Sequence, residues 1–186
     1  MRWWRVPLLL LIVLLVSLLG VHAAGGWRLL HDDSGLRFSS YARSHLVLGL
    51  AGTGGRDLFF NPHDGHVELY GHHPPGLALL LAGWFRLWGR SDPWVARTLA
   101  VCFHLTTAGI VFALLARRTW DGPALVAGLA FATIPMSTFF GKLVSHEPFV
   151  LPLMLGALVS YWRWAERGDA RWLGLSLLLG ALGTVI

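Results

Sequence analysis

PPGLALLLAGWFRLWGR, residues 74–90, is the stretch on which the topology of this chain turns. It is apolar enough for a membrane segment, but Pro75–Trp88 holds only about 14 residues, and a helix of that length reaches about 21 Å. A hydrocarbon core needs roughly 30 Å. Arg86 and Arg90 close the run. Trp84 and Trp88 carry amphipathic rings suited to headgroup depth. The stretch is therefore expected as a helix lying in the membrane interface rather than across it.

That reading sets the parity of the other apolar runs, which are Trp3–Ala24, Trp94–Leu115, Ala124–Phe140, Phe149–Trp164 and one starting at Trp172. Prolines 74, 75, 93, 123 and 148 precede or open the later ones, where a missing N–H is tolerated. With Arg2 and Arg5 inside, the first helix runs outward and residues 25–93 form a long outer loop. Trp94–Leu115 then returns inward to Arg117 and Arg118. Ala124–Phe140 runs out to a second outer loop, residues 141–147, and Phe149–Trp164 runs back to Arg163, Arg167 and Arg171. Three inner ends satisfy the positive-inside rule. If Pro75–Trp88 crossed instead, Arg117 and Arg118 would face outward, and Glu147 would stand on the opposite side from Asp32.

Composition supports a membrane class. The chain has 186 residues, 55% of them hydrophobic, and a mean hydropathy of +0.58, beyond an ordinary soluble domain. The net charge of +5 comes from arginines between apolar runs, which fits a membrane face better than nucleic acid. The single cysteine, Cys102, excludes an intrachain disulfide and a CxxC metal site. The first segment reads either as a cleaved signal peptide or as an uncleaved anchor; the apolar runs that follow favour the anchor. Residues 1–186 read as a single membrane domain. Its last apolar run reaches Ile186 without a polar tail, as expected of the N-terminal portion of a longer protein.

The chemistry-bearing residues lie in the loops. The segment from Ala24 to His73 holds six histidines and five of the ten acidic residues. Within it, SGLRFSSYARSHLVLG reads as an amphipathic helix: Phe38, Tyr41, Ala42, His45 and Leu46 share one face, and Gly49 is the stop. Asp32 and Asp33 stand at its N-terminus, where acids also serve simply as caps. Glu147 joins them on the outer side by topology, and ionisable groups at a membrane lip are functional candidates. His72 and His73 precede the Pro75 helix, whose N-terminus suits an anion. Otherwise they belong to a solvated loop. Lys142, the only lysine, either contacts a phosphate or snorkels at a helix end. His63, His66, His72, His73 and Glu68 offer metal-type ligands without zinc-type spacing, so a divalent metal is compatible with the loop but not indicated by it.

Asp32–Gly49, His73–Pro75 and PMSTFFGKLVSHEPF at Pro135–Phe149 form an ordered set. The set resembles the N-terminal portion of the GT-C membrane glycosyltransferases, in particular the dolichyl-phosphate-mannose protein mannosyltransferase and aminoarabinose transferase-like group. The resemblance implies an all-α polytopic membrane bundle with a long outer first loop carrying amphipathic interfacial helices. It implies a multi-pass enzyme of the bacterial inner membrane with its site on the outer face. The implied activity is inverting transfer of a sugar from a polyprenyl-phosphate-linked donor to a lipid, glycan or protein hydroxyl acceptor. Membrane lipids are expected as partners and nucleic acid is not. The family's first-loop acid, the general base for the acceptor, falls on Asp32, with Asp33 beside it as the alternative. Glu147 falls on the second-loop acid. His73 stands where many relatives carry a lysine before the two prolines, so phosphate binding there would rest on histidine. Histidine adds charge only when protonated, so donor affinity is expected to strengthen as pH falls toward about 6. A rival class is a non-catalytic membrane protein, either a lipid-binding subunit or an inactive truncated remnant, which would tolerate changes at Asp32 and Glu147. A small transporter fits less well, because its ionisable groups belong near mid-span.

Overall fold

The computed structural model describes residues 5–23, 26, 32–60, 66–71 and 73–186. Among these residues the chain forms eight helices and one two-stranded hairpin. The helices are α1 (Arg5–Ala23), α2 (Asp33–Thr53), α3 (Gly76–Trp88), α4 (Pro93–Leu115), α5 (Asp121–Thr133), α6 (Pro135–Phe140), α7 (His146–Arg167) and α8 (Ala170–Val185). The hairpin, absent from the sequence reading, lies inside the long loop. Its strands β1 (Asp57–Phe60) and β2 (Val67–Tyr70) pair antiparallel, with Asp57 opposite Tyr70.

The central helix is α4. It has 23 residues, its most apolar 18-residue stretch has a mean hydropathy of 2.0, and among the described residues it is the one helix both long and apolar enough to cross a membrane. At 1.5 Å per residue it is about 34 Å long. Leu9 and Val13 of α1 pack on Ala108 and Phe112 of α4 and on Ala124 and Ala132 of α5. Phe103 of α4 meets Phe149 at the start of α7, with ring centroids 4.9 Å apart. Arg118, just past the end of α4, lies over Trp162 late in α7 at 4.5 Å. The two helices therefore run in the same direction.

The apolar run Ala124–Phe140 does not form one helix. It divides at Ile134, which is extended at φ −55° and ψ 131°. Proline disfavours helical geometry in the residue before it, and Pro135 then opens α6.

α2 buries Phe38, Tyr41, Ala42 and His45, as the spacing predicts, together with Gly35 and Ser39. Leu46, expected on the same face, is 40% exposed. Gly49 interrupts the helix at φ 69°, a region favoured by glycine. One further turn follows to Thr53, and left-handed Gly54 closes it by donating to the Ala51 carbonyl. α3 has 13 residues and ends at left-handed Gly89. Its buried face, Leu77, Leu81 and Phe85, joins Phe38 and Tyr41 of α2 and Val95 and Leu99 of α4 in one core. Trp84 Nε1 donates to Val95 O (3.0 Å) and Thr98 Oγ1 (3.2 Å), tying α3 to α4.

Candidate active site

Asp32, whose alternative role was to cap α2, is not used as a cap. Asp32 occupies the N-cap position of α2 but makes no side-chain capping bond. Its carboxylate turns to α4, where Arg97 Nη2 lies 3.1 Å from both Oδ1 and Oδ2. The two side chains are 3% and 2% exposed. Arg97 Nη2 also donates to the Gly26 carbonyl at 3.3 Å. A buried charge needs a partner because desolvation is expensive, and here each ion supplies the other's. Asp33, one residue on, is exposed and accepts from Arg37 Nε at 2.9 Å within the helix.

A second buried pair fastens the hairpin to α2. His45 and Asp57 meet through Nε2 and Oδ1 at 2.9 Å, with side chains 2% and 1% exposed. His45 Nδ1 is 3.2 Å from Thr53 Oγ1, and that hydroxyl also lies within reach of the Gly49 and Leu50 carbonyls. Asp57 Oδ2 is buried without a hydrogen-bond partner. Burial pushes the Asp57 carboxyl above its ordinary range, against the opposing pull of the hydrogen bond and charge of His45.

Between these pairs runs a chain of rings. Tyr41 stacks on Tyr70 at 5.3 Å, and Tyr70 lies 5.8 Å from His73. His73 lies 4.4 Å from His146, which meets Phe38 edge-on at 4.8 Å. His146 thus brings the start of α7 to the end of the bundle that carries α2 and the start of α3. Burial lifts the Tyr41 hydroxyl to about 12, so it stays neutral. At the first residue of α7, ahead of its apolar part, burial holds His146 below the ordinary 6.5, and the neighbouring His73 adds to that fall. His146 Nδ1 bonds the Ile186 carbonyl, while Nε2 is buried without a hydrogen-bond partner.

The structure gathers some of the sequence-derived site residues and separates others. Asp32 is buried at the α2–α4 junction, and His73 sits against His146, the neighbour of Glu147. Glu147 itself lines a separate cavity of about 160 Å³ with His104, Thr107, Ser137 and Gly141, which neither Asp32 nor Asp33 lines. Lys142 lies along α1, its Nζ 3.7 Å from where a Cβ on Gly20 would stand. His72 and His63 lie outside the described residues. Among the described residues no group of three or more His, Cys, Asp or Glu side chains could hold a metal ion.

Sequence reading passed over Arg97. A lone arginine three residues into an apolar run is itself a signal, since intramembrane ions pair with one another. Asp57 gave no such signal, because nothing local foretells that a strand residue will meet His45.

An apolar bundle whose buried ions gather at one end defines the class, a membrane protein with polar chemistry at its lip. Residues 72–186, more than half of the chain, match the family described as dolichyl-phosphate-mannose-protein mannosyltransferase. The chain belongs to this family of integral-membrane GT-C glycosyltransferases. The match begins at residue 72, within the long loop and past Asp32, Asp33 and Asp57. No curated protein and no solved structure matches the chain.

Proposed function

We propose that this protein transfers a sugar from a polyprenyl-phosphate donor to a hydroxyl acceptor, with inversion, at the outer face of a bacterial inner membrane that it crosses several times. The observation that carries the reading is the buried Asp32–Arg97 pair at the end of the bundle where His73 meets His146. A lipid-linked sugar phosphate brings its headgroup to such a lip while its tail stays in the bilayer. The acceptor oxygen attacks the anomeric carbon from the face opposite the phosphate. A new C–O bond forms, the bond to the phosphate oxygen breaks, and the hydroxyl proton passes to a carboxylate. Polyprenyl phosphate leaves.

In this reading Asp32 takes the proton. A carboxylate has about four lone-pair sites, so one held by a guanidinium can still accept from a hydroxyl. Arg97 is then a positioning residue that fixes the carboxylate. Asp33, exposed and bound to Arg37, is the weaker candidate. Glu147, which lines a separate cavity next to His146, is the second-loop acid of this reading. His72, His73, Lys142 and the N-terminus of α3 serve the leaving phosphate.

The test is transfer from a radiolabelled polyprenyl-phosphate sugar by the full chain in detergent, with the product anomer read by NMR. Inversion, with activity abolished in Asp32→Asn at retained fold, is the expected result. Retention of configuration, or full activity in both Asp32→Asn and Asp33→Asn, removes this mechanism. One observation favours a second reading: a buried ion-paired Asp32 is also what a non-catalytic, lipid-binding membrane protein would use as a strut. No transfer by a folded chain that still binds the donor is the outcome that selects it.

A further inference from the structure

The opposite end of the bundle carries a feature that sugar transfer does not use. Past the end of α4, Arg117 and Arg118 face the last turns of α7, where Arg163 and Glu166 lie, across a cavity of about 480 Å³. Three guanidiniums therefore face one carboxylate. Arg118 lies over Trp162 at 4.5 Å and Arg163 over Trp172 at 4.4 Å, so the cations are held by aromatic faces rather than by acids. Arg163 Nε is buried without a hydrogen-bond partner. Arg117 and Arg163 also border a second cavity of about 280 Å³, which continues between α4, α7 and α8 along Leu114, Gly156, Leu175 and Leu179.

We infer that this end of the bundle is a binding site for an anionic phospholipid. The headgroup phosphate sits among Arg117, Arg118 and Arg163, and an acyl chain follows the apolar channel below. Charge and shape agree on the occupant. A planar fork of N–H donors matches phosphate oxygens, and each arginine near a membrane surface adds attraction for anionic lipid. A free phosphate would use the arginines but leave the leucine-lined channel unfilled, whereas a phospholipid uses both. The indoles of Trp162 and Trp172 mark headgroup depth. The inference depends on the chain lying in a membrane and is independent of which carboxylate acts at the far end.

Native mass spectrometry of the full chain in detergent tests it, with dioleoyl phosphatidylglycerol, dioleoyl phosphatidylcholine and inorganic phosphate as probes. Phosphatidylglycerol should be retained over phosphatidylcholine, and Arg117→Gln should weaken that retention about fivefold. Arg163→Gln should weaken it similarly, but it also removes the contact with Trp172. Arg117, which is exposed, is therefore the cleaner variant. Leu114→Trp should fill the channel and reduce phosphatidylglycerol binding with all three arginines present. Equal retention of the two lipids overturns the site. So does wild-type preference in Arg117→Gln, or unchanged binding in Leu114→Trp. Displacement of phosphatidylglycerol by inorganic phosphate would assign the arginines to a free anion and overturn the lipid. None of these readouts involves sugar transfer, so a failure here is distinct from a failure of the proposed activity.

Discussion

Asp32 and Arg97 stand 65 positions apart and meet at 3.1 Å, with both side chains almost wholly removed from solvent. The contact joins the first turn of α2 to the first turns of α4, and so sets the loop's acid against the bundle.

The pair should be brittle to single changes. Removing one partner of a buried ion pair leaves the other charge uncompensated, at a cost of roughly 3–5 kcal/mol. Asp32→Leu and Arg97→Met should each lower the unfolding temperature of the full chain clearly. The double variant should recover much of the loss, because two apolar side chains leave no orphaned charge. Asp33→Asn, on the exposed i,i+4 pair, should fall within about 0.5 kcal/mol of wild type. Losses that simply add in the double variant would show that the two residues act separately.

The His45–Asp57 pair should make stability depend on pH in a set direction. Burial raises the folded-state pKa of Asp57 above its ordinary 3.8. The native chain therefore keeps this proton at pH values where the unfolded chain has lost it. Asp57's contribution is fully present below the ordinary value, declines as pH rises toward the raised value, and changes no further above it. Melting temperatures measured upward from about pH 4 should fall as pH rises from the ordinary value toward the raised one. Asp57→Asn, which cannot titrate, should be flatter. An identical slope in the variant would assign the proton to another group.

Residues 71 and 147 should share one face of the membrane. In a Cys102→Ser background, cysteines at exposed Gly71 and exposed Glu147 should both react with an impermeant thiol reagent in intact cells. A cysteine at exposed Thr119, beyond the far end of α4, should not. Labelling that separates 71 from 147 would overturn the two-loop arrangement that the shared site requires.

Gly141 should not tolerate a methyl group. A Cβ there would stand 2.5 Å from His104 Cγ and 2.7 Å from the Ser137 carbonyl oxygen. Backbone cannot step aside as a flexible side chain would, so Gly141→Ala should cost about 1–3 kcal/mol. It should also disturb the cavity that Glu147 lines. Gly83, in α3 with nothing within 4 Å of a new Cβ, is the control. Gly83→Ala should be neutral or stabilising by up to about 1 kcal/mol, as read by thermal unfolding.

Part of the site was open to sequence reading and part was not. Asp32 could be singled out because paired acids after an apolar run are unusual, but its buried partner lies in another helix. The ring chain from Tyr41 to His146 draws on α2, β2, the turn before α3 and the start of α7. Of its rings only Phe38 and Tyr41 are legible as sharing a face, with Ala42, His45 and Leu46, since they repeat at helical spacing on one helix.

Hydrophobic runs, prolines and glycines are local signals, and they determined the helices. Thirteen residues between Pro75 and left-handed Gly89 cannot make a spanning helix, and Gly49 breaks α2 where expected because left-handed geometry favours glycine. Pro135 ended α5 by the same kind of local steric rule, although the apolar run around it read as continuous. Tertiary structure alone decided the partners. Asp32 chose Arg97 over its own helix terminus because a buried charge is stabilised by whichever counter-charge the packing brings within reach, and Asp57, cut off from solvent, meets the His45 ring that the packing sets against it. Sequence spacing fixes which side chains share a face; only the folding of one element onto another fixes what that face meets.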